Sequence, residues 1–167
     1  IISRCCDFYF PKINNQKIKN YFNQNMNIEN LDLLINITHG SMKELYQIIE
    51  SEIDIHTLIE DAKSIIGVLM KNDNWDTHYK KLEQLFKSDR HTFTIFIKIL
   101  IFVLNDLEKI KNNNFDFLIL EDIKKTKKLD YSACIEIVET TYQNLYKNLN
   151  PSIGIASMLI KMKKILR

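Results

Sequence analysis

Glycine, proline and cysteine are all scarce in this chain, which has 3 Gly, 2 Pro and 3 Cys among its 167 residues. Strands joined by tight turns usually need more glycine and proline, so the sequence predicts long helices and an all-α fold. The cysteines are Cys5, Cys6 and Cys134. An odd count with two adjacent members does not fit a disulfide framework and indicates a reduced, cytoplasmic compartment.

The sequence also lacks the motifs of several enzyme and membrane classes. It has no GxxxxGK loop, so it does not bind and hydrolyse a nucleotide by the usual loop machinery alone. His39, His56, His78 and His91 show no i, i+4 pair with an intervening Glu, which excludes the helical zinc motif. The most apolar run, residues 93–104, is shorter than the roughly 20 residues of a membrane-spanning helix. We expect it to form a buried core helix.

Neither sign of charge predominates, since the chain has 23 basic and 21 acidic residues. A dedicated nucleic-acid domain is normally far more basic, so any contact with DNA must be local or made by partner chains. Hydrophobic residues make up 46% of the chain and charged residues 26%, which is typical of a globular protein.

Helix starts are well marked by capping residues. Ser41 with Glu44 three residues later forms a capping-box pattern, and Gly40 just before it predicts a left-handed C-cap. We expect a domain junction near residues 51–54 and a helix over about 92–111. The remaining predicted caps are Asn14 or Asn15, Asn27, Asp54, Asn74, Asp130 and the pair Asn150-Pro151.

Four short motifs follow one another along the chain. Ser3-Arg4-Cys5 precedes an aromatic segment, residues 8–10, which predicts one short strand stopped by Pro11. Gly40-Ser41-Met42-Lys43 lies about 30 residues further on, and Asn148-Leu149-Asn150-Pro151 opens the last helix.

In this order and spacing the motifs resemble the C-terminal two-thirds of clamp-loader subunits of the AAA+ family. The chain is most similar to the bacterial delta-prime type, through residues 104–109 and 115–122. The resemblance implies that residues 1–10 are the tail of an ATPase core and that residues 11–52 form a three-helix lid. Residues 53–167 would then form a helical collar of five or six helices. Because the chain starts at Ile1 and not Met, we expect further sequence upstream.

The resemblance also implies two functional residues. Arg4 matches the arginine of the family's SRC motif, which is presented in trans to a neighbouring subunit's ATP site as an arginine finger. Lys43 stands where ATP-binding members carry a nucleotide-sensing arginine, and a lysine there fits a subunit without a working ATP site. A second departure lies in the last helix, where Ala156 or Ser157 replaces a usual acid.

By the same resemblance, the chain has no enzymatic turnover of its own and holds no cofactor or metal. ATP and Mg²⁺ would be bound by partner subunits of a DNA polymerase III holoenzyme, whose clamp loader is the ATPase. The implied partners are the other loader subunits and, through the complex, the sliding clamp and primed DNA, with no membrane. Most apolar residues of the later helices must be core, but some on the last two helices should then remain exposed for subunit contacts.

Two other functions compete with this interpretation. An ATP-hydrolysing relative of gamma or tau type, or a replication factor C small subunit, would carry GxxxxGK[ST] upstream, whereas a delta-prime type would lack it or have it degenerate. An unrelated helical adaptor would have no ATPase core upstream, and replacing Arg4 would leave a partner's ATPase unchanged.

Overall fold

Residues 13–26, 28–51, 53–115, 126–147 and 150–167 are described by the computed structural model, and α-helix is the only regular structure in these ranges. The predicted all-α class is therefore confirmed for them. The helices are α1 (Asn15–Asn25), α2 (Leu31–Ile37), α3 (Met42–Glu50), α4 (Ile55–Lys71), α5 (Asp76–Ser88), α6 (Arg90–Lys111), α7 (Tyr131–Leu145) and α8 (Pro151–Ile165).

The chain divides into two compact units between Ile53 and Asp54. The N-terminal unit contains α1 to α3, and the C-terminal unit contains α4 to α8. Their assignment as lid and collar stays a prediction. The predicted tail of an ATPase core, residues 1–10, lies outside the described residues.

The core of the N-terminal unit is built around Phe22. This side chain is fully buried, and its ring meets those of Tyr21 and Tyr46 at centroid distances of 5.3 and 5.2 Å. The two tyrosine hydroxyls are hydrogen bonded at 2.9 Å, which joins α1 to α3 at the edge of the core. The other buried apolar residues of this unit are Ile18, Leu31, Leu33, Leu34, Ile35, Ile37, Leu45 and Ile48.

The C-terminal unit is organised around α6. The apolar run predicted to be a core helix does lie in it, and Phe93, Leu100 and Leu104 are fully buried. Helices α4, α5 and α7 each pack against both α6 and α8. Within the described ranges, every helix is too short or too polar to cross a membrane.

Most predicted caps are confirmed at the level of single hydrogen bonds. The Asn14, Asp54 and Asp130 side chains accept from backbone N–H groups two or three residues on, at 2.8 to 3.0 Å. Ser41 accepts from the Glu44 N–H at 3.4 Å, and Asn150 accepts from the N–H that follows Pro151 at 3.0 Å. These bonds satisfy backbone donors that the first turn of a helix otherwise leaves open.

Three helix starts differ from the prediction. Helix α2 begins after Asn30, a left-handed residue that makes no side-chain cap, and not after Asn27. Helix α6 begins earlier than predicted because the Asp89 carboxylate accepts from two backbone N–H groups at 3.0 Å each. Helix α5 begins at Asp76, although Asn74 still accepts from its N–H at 2.9 Å.

Candidate functional site

The turn between α2 and α3 is fixed by a pattern of backbone hydrogen bonds. The Gly40 N–H donates to the Ile35 carbonyl and the His39 N–H to the Asn36 carbonyl, at 3.0 and 3.1 Å, which is the Schellman arrangement. Both His39 (φ 50°) and Gly40 (φ 75°) have positive φ. The residue at the left-handed C′ position is therefore His39, one residue earlier than predicted.

The buried Thr38 hydroxyl strengthens this turn. It donates to the carbonyls of Leu34 and Ile35 at 2.9 and 3.2 Å, so the last turn of α2 carries a side-chain bond in addition to the backbone ones. Ser41 then caps α3 directly. The start of α3 is thus held in place from both sides.

Lys43, the predicted nucleotide-sensing residue, lies exposed in the first turn of α3. The helix dipole disfavours a cation at this end. Helix stability therefore gives no reason for a lysine here. Arg4, the predicted arginine finger, lies outside the described residues. Both roles stay predictions.

Helix α8 has one buried and one exposed apolar face. Met158 and Met162 belong to the buried face together with Ile155, Leu159 and Leu166. Ile160, in contrast, is 44% exposed. It follows Ile155 by five residues and so points about 140° away around the helix.

The exposed face of α8 also carries Ile153, which is 63% exposed and was not singled out from the sequence. The sequence feature that could have indicated Ile153 is its seven-residue spacing from Ile160. This spacing places both residues on one side of the helix, about two turns apart. Ala156 and Ser157, the small residues that depart from the family pattern, line the surface between them.

A groove of about 590 Å³ runs between α5 and α8 along this face; it is called the α5/α8 groove below. Tyr79 of α5 forms one wall, and Ile153, Ile160, Lys161 and Lys164 of α8 form the other. A second groove on the α7 side of α8 shares Ile153 and Lys161 but includes Glu136, so its charge is mixed.

A polar cluster holds the start of α8 against α5. The Glu83 carboxylate accepts from Lys87 at 2.8 Å and makes a short hydrogen bond with the Ser152 hydroxyl. The hydrogen bonds from Lys87 and then from Ser152 hold the pKa of Glu83 below its ordinary value. Glu83 therefore stays ionised at neutral pH and is engaged by its own chain.

The basic residues of α8 are not engaged in this way. Lys161 and Lys164 are exposed, and neither forms a hydrogen bond or ion pair with the described part of the chain. Helix α8 contains no acidic residue. Its C-terminal half therefore presents positive charge next to the exposed isoleucines.

A second exposed aromatic surface lies at the end of α7. Tyr146 is 46% exposed, and its hydroxyl is 2.8 Å from that of Thr94. Its ring contacts those of Tyr142 and Phe86 at 5.0 and 6.3 Å. These contacts tie α7 to α5 and α6, so we assign them a structural role.

Cys134 lies fully buried in the core of the C-terminal unit. Burial raises the pKa of the Cys134 thiol to about 12, so this residue stays a neutral core side chain. The described ranges hold no group of three or more His, Cys, Asp or Glu side chains placed to bind a metal ion.

The described residues thus define an all-helical protein of two units, with an exposed apolar and basic face on its last helix. No protein-family model, curated protein or solved structure matches the chain.

Proposed function

We propose that this chain is the lid and collar part of a clamp-loader subunit of delta-prime type. It holds the subunit in a heteropentameric loader that opens the sliding clamp and places it on primed DNA. ATP is bound and hydrolysed by other subunits. The chain contributes assembly contacts and one arginine, and it has no turnover of its own.

The observation that carries the proposal is the exposed apolar face of α8. Ile153 and Ile160 lie on the helix that follows Asn150-Pro151, the motif that resembles the start of the last collar helix. A helix in a finished globular core buries its apolar stripe, and exposed apolar patches usually mark an interface. This supports assembly through the last helix.

The order of the two units supports the same function. A unit of three helices precedes a larger helical unit, and Lys43 lies exposed just after the Schellman turn. In the clamp-loader subunits that the chain resembles, the residue at the Lys43 position of the lid faces a nucleotide. A lysine lacks the planar fork that makes two parallel bonds to a phosphate, which fits a subunit that assists a neighbour's ATP site.

The chemical role proposed for Arg4 is stabilisation of charge on the γ-phosphoryl group of ATP in the adjacent subunit. The guanidinium is permanently charged and planar, and supplying it from another chain makes hydrolysis depend on assembly. Hydrolysis would then be coupled to the correct arrangement of subunits around the clamp.

The experiment compares clamp-stimulated ATP hydrolysis by loaders reconstituted with the complete gene product, wild type or Arg4→Ala. We expect unchanged assembly and a fall in hydrolysis of about two or more orders of magnitude. Arg4→Lys keeps the charge without the planar fork. Arg90→Ala controls for the loss of one arginine in the C-terminal unit, where Arg90 contacts the Phe86 ring.

Two outcomes contradict the proposal in different ways. If hydrolysis by the Arg4→Ala loader is unchanged, Arg4 has no role in the neighbour's ATP site. If the wild-type protein does not join the other subunits at all, the loader assignment is wrong and the helical-adaptor interpretation replaces it.

A further inference from the structure

The α5/α8 groove presents two exposed isoleucines with small residues between them. Ile153 and Ile160 are seven residues apart, which corresponds to about 10.5 Å along the helix axis. Ala156 and Ser157 lie between them, so the surface is high at both ends and low in the middle. Side chains of a packed helix insert into such depressions between larger residues.

The charge of the groove is of one sign. Lys161 and Lys164 line it, and no acidic residue does so among the described residues. Glu83, the nearby carboxylate on α5, is bound by Lys87 and Ser152 of its own chain. An occupant that neutralises the two lysines must therefore bring its own carboxylates.

The α8 helix of a second copy of this chain cannot supply these carboxylates. In an antiparallel pair of α8 helices, Lys164 of each copy faces the other helix's N-terminus, which already carries partial positive charge. In a parallel pair the lysines face one another directly. Because α8 has no acidic residue, both arrangements are repulsive.

We propose that the α5/α8 groove binds an amphipathic helix of another protein, with apolar side chains between Ile153 and Ile160 and carboxylates opposite Lys161 and Lys164. In the loader proposed above this helix belongs to a neighbouring subunit, and that assignment rests on the proposed function. The chemistry of recognition, an apolar stripe flanked by acids, does not depend on it.

The first test uses a synthetic peptide of about 18 residues, long enough for five helical turns, with leucines on one face and glutamates on both sides of them. A matched peptide has lysine in place of each glutamate. Peptide is titrated into isotopically labelled protein, and amide chemical shifts are followed by NMR. We expect the acidic peptide to shift residues of α5 and α8 and the basic peptide to leave them unchanged.

Variants of the protein locate the site. Lys161→Glu/Lys164→Glu and Ile153→Ser/Ile160→Ser should each weaken binding of the acidic peptide at least about ten-fold. The control Lys80→Glu/Lys128→Glu changes the net charge equally at exposed positions outside the groove and should retain binding. All replaced side chains are exposed, so circular dichroism should show unchanged folding.

The inference is overturned if both peptides bind equally, if the control pair weakens binding as much as the groove pair, or if about 1 mM acidic peptide gives no shifts at α8. Reconstitution with the purified ATP-hydrolysing loader subunit separates this result from the proposed function. Peptide binding without loader assembly rejects the loader and keeps the groove. If both groove variants still assemble with the loader subunit, the groove is not the assembly site, and the loader assignment stands.

Discussion

His39 adopts a backbone conformation that is unfavourable for a residue with a β-carbon. Its φ of 50° is left-handed, which costs roughly 1 kcal/mol or more for residues other than glycine. The Schellman bonds donated by the His39 and Gly40 N–H groups hold it there. Gly40 at φ 75° is the neighbouring residue that meets the same demand without this cost.

We predict that His39→Gly stabilises the protein by about 0.5 to 1 kcal/mol, because the relief of strain exceeds the added freedom of the unfolded chain. Urea unfolding followed by circular dichroism measures the change. Gly40→Ala should act in the opposite direction, since its new β-carbon would be strained at φ 75° and would lie 3.2 Å from the Asn15 side-chain oxygen. Equal stability of all three proteins would show that the turn is not strained.

Glu83 makes the stability of the C-terminal unit depend on pH. Its pKa is lower in the folded protein, chiefly because Lys87 and Ser152 donate hydrogen bonds to the ionised carboxylate. The unfolded chain therefore binds more protons in the interval between the two pKa values. The stabilisation is complete above the unfolded value of about 4.3 and is lost as pH falls through the folded value.

The measurement is the melting temperature of wild type and Glu83→Gln between pH 7 and pH 3. We expect the variant to melt lower at pH 7 and the difference to shrink as the pH drops below the unfolded pKa of about 4.3. Glu139→Gln, at an exposed position on α7, controls for loss of one negative charge. A difference that stays constant with pH would remove Glu83 as the titrating group.

At the scale of the element, the start of α6 depends on Asp89. Its carboxylate accepts from the His91 and Thr92 N–H groups and from the Thr92 hydroxyl. The apolar pattern alone placed the helix start near Thr92. The acid three residues before it is the sequence signal for the true boundary, and Asp89 is the single residue between α5 and α6.

We predict that Asp89→Ala lowers the free energy of unfolding by about 1 kcal/mol, the usual contribution of an N-cap. Asp89→Asn keeps an acceptor oxygen and should lose only a fraction of that. Chemical denaturation of the three proteins measures the difference. An alanine variant as stable as wild type would mean that water replaces the cap without cost.

At the scale of the whole molecule, the C-terminal unit has a core of its own. Residues from all of its helices are buried, and α6 supplies the central ones. We predict that residues 54–167 expressed alone unfold in one cooperative transition with native helical content. Circular dichroism and calorimetry check this. A non-cooperative transition would show that the unit needs residues outside it.

The sequence by itself determined the all-α class and most helix starts. These depend on caps and on a periodicity of about 3.6 residues, which act over three or four neighbours in the chain. Asp54, Asp130 and Asn150 cap as predicted for this reason. The clamp-loader resemblance also came from the sequence, and the roles of Arg4 and Lys43 remain predictions.

The tertiary structure decided which apolar residues are buried. Ile155 and Ile160 are the same residue type on the same helix, but with α8 packed against α4, α5 and α7, Ile155 is fully buried and Ile160 is 44% exposed. That side, with Ile153, Lys161 and Lys164, forms the candidate site. Helical periodicity separates the two isoleucines onto different faces of α8, but which face is covered depends on neighbours contributed by distant parts of the chain.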